Sequence, residues 1–361
     1  MKILQLYDYF INLKKNYNVV ILKKEINNRQ RNYLINELLK DNVFNNKYCN
    51  LKTIIGKIND LKFCYYLEFK IYNLTFKLQF ILLNKDLTIL KIILFICFML
   101  TNYFKDKGYF KNNYYSSVYV VFYLYDHPRT LNGNSFDDLR IKNNFNCPSG
   151  YTYKNKIIIT RLQGYCGLFI HELLHFFKDD GLNIDNYKNY EEEYQKLFNY
   201  YISDKTKPGY LFEGINNFKT IIFFVLFKSS FYDYTSIEMF KELFKEYVKS
   251  FLLCYKIIKF YNCLTFEDLI KKKLYIQYGS TFEYSFVRFY IFYLYARKII
   301  EDEVEIKEET LQIIMSNLNN LFTKKVNNLN LKLLKFNNRD YKRYKKIFKI
   351  DDKDVEYYDE F

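Results

Sequence analysis

Apolar and polar positions alternate with different periods along the chain, and the changes of period mark its parts. Residues 1–60 read as helices with polar breaks; Tyr33-Leu-Ile-Asn-Glu-Leu-Leu39 is a short amphipathic piece among Asn-rich punctuation. From Leu61 to Leu83 the pattern turns to aromatic and β-branched runs, Phe63–Phe69 and Leu74–Ile81, with Asn73 between them. That predicts a pair of strands. Val118–Tyr125 reads as a buried strand closing at Asp126, His127 and Pro128, and Lys156–Arg161 reads as another. Gly164 and Gly167 lead into a helix predicted over about Tyr165–Lys178, stopped at Asp179, Asp180 and Gly181 with Gly as the terminator. Residues 182–207 are polar. Pro208 and Gly209 then open a pattern that is helical almost to the end, clearest over Met239–Tyr247 and Phe282–Tyr290. The last 25 residues are charge-dense, basic then acidic, and predict a solvated helix with a frayed end. The expected class is α+β, with a small mixed sheet followed by a mainly helical subdomain. The divisions are an N-terminal helical region 1–60, a sheet-containing subdomain 61–205, a helical subdomain 206–330 and a charged tail 331–361.

One run needs a decision. Leu87–Phe104 is about 18 residues long, at the threshold for a membrane span. Lys91 interrupts it, and Thr88, Thr101 and Asn102 leave a continuous apolar centre only from Ile92 to Leu100. It reads as a helix buried in a large core, not as a span.

Composition changes the picture in two places. Half of the 361 residues are apolar and 21% are aromatic, enough for a sizeable core and too much for global disorder. The net charge of +15 invites a nucleic-acid partner, but the chain is rich in Lys, Asn, Ile, Tyr and Phe, with no Trp and three Pro. That is the mark of an AT-rich coding bias, which supplies Lys whatever the partner. Arg, the residue suited to phosphate forks, is scarce, and no nucleic-acid module is visible. The charge reads as a diffuse basic surface with no specific nucleic acid. Seven cysteines lie at 49, 64, 97, 147, 166, 254 and 263 with no CxxC pair, so neither a disulfide scaffold nor a thiolate zinc site is indicated. Met1–Phe10 has an early acid and no small-residue cleavage site, which makes a poor signal peptide. An intracellular, cytoplasmic location is the expectation.

The candidate chemistry sits in Phe169-Ile-His-Glu-Leu-Leu-His-Phe-Phe177, where His171, Glu172 and His175 have the HExxH spacing. Positions i and i+4 share a helix face, so both imidazoles can reach one metal ion. Glu172 follows the first histidine and can take a proton from a water on that ion. The chain has three His, two of them here, and composition gives the pattern a chance of roughly one or two in a thousand. The competing reading is a helix that buries two hydrogen-bonded histidines in an apolar seam.

A catalytic zinc takes three protein ligands. No third His lies near, so the remaining ligand is expected to be a carboxylate among Asp179, Asp180, Glu191, Glu192, Glu193 and Glu213. The two aspartates follow too closely on the helix to swing onto the same ion. The Glu191–Glu193 triplet has the look of a solvated face. Glu213 lies between Leu211, Phe212 and Ile215, where a carboxylate is costly to bury unless something pairs it.

These residues resemble the gluzincin metallopeptidases, especially the peptidase unit of thermolysin-like, M1 aminopeptidase-like and collagenase-like enzymes. His171–Asp179 is similar to the thermolysin-type HELTHxxxD. Tyr210-Leu-Phe-Glu-Gly-Ile-Asn-Asn-Phe218 looks like the WLxEGxAEY box with Tyr210 for Trp, and Phe282–Phe289 resembles the helix that follows it. The resemblance covers roughly residues 85–300. It implies a zincin-like fold, zinc as cofactor and a peptide or protein as substrate. His171, His175 and Glu213 would bind Zn2+, Glu172 would be the general base that passes its proton to the leaving amine, and Asp179 would orient a ligand imidazole. Tyr284, and after it Tyr278, would stabilise the oxyanion. Ile157–Thr160 would be the edge strand that pairs with substrate backbone. Where the family often has Asp or Glu four residues after the ligand glutamate, this chain has Asn217. That substitution opens the alternative of a catalytically weak or inactive zincin-fold protein serving as a binding or scaffold module.

Overall fold

The computed structural model describes residues 1–17, 22–25, 27–40, 60–111, 115–125, 150–179, 186–201, 210–263, 283–323 and 338–350, less positions 163 and 302, plus positions 56, 266, 268 and 269. Buried and part-exposed side chains alternate along Phe63–Ile71 (β2) and Leu74–Leu82 (β3), which makes one face of this hairpin apolar. The strands pair antiparallel from Phe63 opposite Leu82 to Ile71 opposite Leu74. The expected turn is present, but its left-handed backbone falls on Tyr72 (φ 53°). The Tyr72 hydroxyl bonds Asn102 Oδ1 at 2.7 Å and Lys105 sits 3.8 Å over the ring, contacts that offset the steric cost of that conformation.

Leu22–Glu25 (β1) pairs with β2, so the region 1–60 supplies a strand besides its helices Ile3–Lys14 (α1) and Asn28–Lys40 (α2). Ser117–Tyr125 (β4) runs parallel to β3, and a parallel neighbour needs a crossover. The crossover is Leu87–Asp106 (α3), started by Asp86, which accepts from the Thr88 N–H at 2.8 Å. By length and composition α3 passes for a membrane span, yet 78% of its apolar window is buried inside the protein. Lys156–Arg161 (β6) pairs parallel with β4 and antiparallel with Gly150–Tyr153 (β5), giving the order β1-β2-β3-β4-β6-β5. The edge strand expected at Ile157–Thr160 is therefore internal. A tight hairpin folds β5 back along the outer side of β6, and β5 takes the edge. The polar loop with His127 lies outside the described residues.

The motif helix, Tyr165–Phe176 (α4), packs on β5 and β6, with Phe169 edge-on to Phe122 of β4 at 5.1 Å. It ends two residues before the predicted Lys178. Lys178 adopts φ 54°, its N–H bonds His175 O at 3.0 Å, and the Asp179 N–H bonds Leu174 O at 2.9 Å. That pair of bonds is a Schellman cap, so Lys178 does the work assigned to glycine; Asp180 and Gly181 lie outside the described residues. Tyr187–Tyr201 (α5), Leu211–Phe231 (α6) and Ser236–Phe260 (α7) follow. A five-residue π turn, Glu283–Val287, runs into Arg288–Ala296 (α8); Glu308–Thr323 (α9) and Asn338–Phe348 (α10) come last. Most of α6 is buried, and it packs against α1, α4, α5, α7, the π turn and α8. One hydrophobic core runs through all four segments, from Ile3 and Phe10 to Ile350.

Within this core, α6 and the π turn approach each other closely at Gly214. A Cβ on Gly214 would stand 2.6 Å from Val287 Cγ1 and 3.1 Å from the Glu283 carbonyl oxygen, closer than packed atoms allow. Gly214→Ala is expected to destabilise the protein by about 1–3 kcal/mol in chemical unfolding. Adding Val287→Ala should recover part of the loss. If both variants unfold at the wild-type midpoint, the approach is not tight.

Candidate metal centre

Three elements bring the chemistry together. Consecutive turns of α4 present His171 and His175, whose Nε2 atoms lie 3.1 Å apart. The first turn of α6 presents Glu213, with Oε2 3.3 Å from His171 Nε2 and Oε1 3.7 Å from His175 Nε2. These three groups can hold one metal ion. The spacing fits: donors about 2.0–2.1 Å from a tetrahedral zinc stand about 3.3 Å from one another. Glu213, the carboxylate in the apolar setting, is thus the acid the fold delivers to the histidines.

The surroundings explain how a carboxylate stays there. Burial raises the Glu213 carboxyl, but the hydrogen bond and charge of His171, the charge of His175 and the Tyr284 hydroxyl outweigh it and hold it at about 2. Tyr284 comes from the π turn; its hydroxyl donates to Glu213 Oε2 at 2.8 Å and its ring stands edge-on to His171. Its hydroxyl, expected to face an oxyanion, donates to the Glu213 carboxylate. Tyr278 lies outside the described residues. The residue at His171 Nδ1 is Thr220, with Oγ1 3.4 Å away, while Asn217 Oδ1 accepts from Arg288 Nη1 at 2.7 Å. Asp179 pairs with the buried Lys219 at 3.1 Å, which ties the end of α4 to α6.

Glu172 is buried against the edge strand. The Thr152 hydroxyl lies 2.8 Å from its Oε2 and 2.9 Å from its carbonyl oxygen, and it can donate to one at a time. A Cβ at Gly150 would crowd Oε1 at 3.1 Å, so β5 shapes the space around the carboxylate. Burial pushes the Glu172 carboxyl above its ordinary range, against the pull of His171, His175 and Thr152. A pocket of about 480 Å³ opens over this group, lined by Tyr115, Tyr151, Phe176 and Tyr284 beside His171, Glu172, His175 and Glu213.

Sequence reasoning treated Glu191 as part of a solvated triplet. Glu192 and Glu193 are exposed, but Glu191 caps α6: its oxygens accept from the Leu211 N–H at 2.8 Å and the Phe212 N–H at 3.3 Å. Tyr210, at the N-cap position, has no side-chain oxygen in reach of those donors. Asn216, Thr152 and Thr220 were also missed. Asn216 alone carried a signal, since i+3 from Glu213 shares its helix face. Comparison with protein-family models, curated proteins and solved structures gives no match. The functional reading therefore rests on this geometry.

Glu191 yields a pH prediction. Burial raises its carboxyl to about 7, against the Phe212 and Leu211 N–H bonds that lower it. An acid whose folded pKa is raised binds its proton more tightly when folded, so its contribution is greatest below about pH 4.5 and declines as pH climbs toward 7. Thermal midpoints of wild type and Glu191→Gln should diverge in slope across pH 4.5–7, with the variant losing less. Identical slopes would show that Glu191 titrates normally.

Proposed function

We propose that this protein is a zinc-dependent metallopeptidase of zincin-like fold, with Glu172 as general base. The observation that carries the reading is the convergence of His171, His175 and Glu213 at ligand spacing, with a buried carboxylate beside them at the cleft. A Zn2+ ion held by these three side chains would lower the pKa of a water toward neutrality and polarise a carbonyl.

The chain's own groups supply the rest. Glu172, whose carboxyl burial raises, takes a proton from water in the cleft and returns it to the leaving amine. Thr152 and Gly150 hold that carboxylate in place from the edge strand. Tyr284 fixes Glu213, and the Schellman cap behind His175 keeps the second imidazole in register. Among the described residues no strand lies on the outer edge of β5, which runs next to the pocket, and an extended peptide can add there as a further strand. The aromatic lining suits an apolar side chain next to the scissile bond.

One observation favours the weaker alternative, a zincin-fold binding module. Asn217 stands where an acid would add negative charge behind the histidines, and it faces the Arg288 guanidinium. An amide at that position adds no negative charge, so it raises the basicity of the imidazoles toward an ion less than an acid there would.

The purified 361-residue chain is expected to carry about one equivalent of zinc and to cleave an unstructured protein substrate. Glu172→Gln should keep the zinc and lose about 10²–10⁴ in rate. Cleavage by that variant at the wild-type rate removes Glu172 as the base. Less than about half an equivalent of zinc after metal loading argues against the metal site itself.

A further inference from the structure

One polar group at the centre has no place in the mechanism above. Asn216, one turn after Glu213 on α6, is fully buried. Its Nδ2 lies 3.1 Å from His175 Nε2, 3.4 Å from His171 Nε2 and 3.3 Å from the His171 carbonyl oxygen. Its Oδ1 is buried with no hydrogen-bond partner. An orphaned buried carbonyl oxygen costs about 1–3 kcal/mol, so its presence next to two imidazoles needs a reason.

The distances supply one. Five edges of the figure drawn by these donors are known: His171–His175 at 3.1 Å, His171–Glu213 at 3.3 Å, His175–Glu213 at 3.7 Å, and Asn216 to the two histidines at 3.4 and 3.1 Å. All lie near the roughly 3.3 Å that separates ligands around a zinc-sized ion. The amide end of Asn216 therefore occupies a ligand position relative to both imidazoles. As placed, Nδ2 faces both Nε2 atoms, the atoms a metal takes, and which of them accepts from it depends on the imidazole tautomers. With those committed to an ion, Nδ2 keeps only the long contact to the His171 carbonyl. A half-turn about the last side-chain torsion replaces Nδ2 with Oδ1, and amide oxygen is a competent ligand for hard and borderline cations. Asn216 does not line the pocket, so this donor approaches from the protein side, and a water on the cleft side, where Glu172 stands, would be a fifth ligand.

We propose that Asn216 is a fourth protein ligand of the metal ion, through Oδ1, and that its amide turns over when the ion binds. The inference rests on the metal site described above. It assigns the centre a ligand set of two imidazoles, one carboxylate and one amide.

The test titrates the full chain, first freed of metal, with Co2+, reading affinity by competition with a chelating dye and ligand identity from the visible ligand-field bands. Asn216→Leu keeps the side-chain volume without a donor, and Asn216→Asp keeps an oxygen at the same reach. Asn216→Leu should bind about 10–100-fold more weakly, with a changed band envelope. Asn216→Asp should bind at least as tightly as wild type. A residue that only packs would leave the envelope unmoved. If Asn216→Leu does not fold, Asn216→Ser, too short to reach the ion, gives the same comparison. Wild type and the donor-less variant sharing one affinity and one envelope would overturn the role of Asn216 while leaving the metal site intact. A wild-type chain that takes up no Co2+ or Zn2+ overturns both.

Discussion

A carboxylate inside an apolar helix is the constraint on which the centre depends. Glu213 sits in the first turn of α6, a helix buried along most of its length, and an isolated charge there would be neutralised or the helix would not pack. The helix N-terminus favours an anion, but that contributes well under what burial costs. Two imidazoles and a phenol hydroxyl supply the remainder, and they come from separate parts of the chain. His171 and His175 share a face of α4 by their i,i+4 spacing, but they meet Glu213 only because α4 lies across α6. Tyr284 reaches Oε2 from a π turn, and that turn can lie close against α6 because residue 214 has no side chain. A metal ion would complete the same compensation.

Three carboxylates crowd this region, and their environments drive them apart. Glu213, among positive partners, is held at about 2, Glu191 under the α6 N-terminus is raised to about 7, and Glu172 is raised chiefly by burial. Divergent environments suit divergent roles: an anion paired with two imidazoles, a helix cap, and, in the proposed mechanism, a base. Glu191 and Glu213 also repel each other across one turn of helix, which helps to hold the capping acid near its titration point. The strand β5 serves the third role, since Thr152 and the bare Gly150 define where the Glu172 carboxylate can lie.

Much of this was legible in the residues. The hairpin at 63–82, the strands at 118–125 and 156–161 and the motif helix follow from periods of two and 3.6, which report local burial directly. Glu213 was legible because a lone acid between Leu211, Phe212 and Ile215 has to be compensated by something. The edge strand was not. Gly150–Tyr153 is four residues long and becomes an edge only through its pairing with β6, a non-local fact. The end of α4 was misread because a glycine terminator is the common solution, whereas here Lys178 takes the left-handed position under tertiary packing. Glu191 looked solvated because its neighbours are, and only the position of α6 makes it a cap.

By itself, then, the sequence determined which side chains can share an ion: i,i+4 geometry places two imidazoles on one helix face wherever that helix lies, and burial energetics single out an acid that needs a partner. Tertiary structure decided everything that depends on which elements touch. It set Glu213 against both histidines, put Tyr284, Thr220 and Asn216 around them, gave Thr152 to Glu172, and moved the open sheet edge to β5. Helical and strand periods are short-range consequences of backbone geometry, while these contacts join residues that lie 20 to 71 positions apart in sequence, and their energies are settled only when the core closes around them.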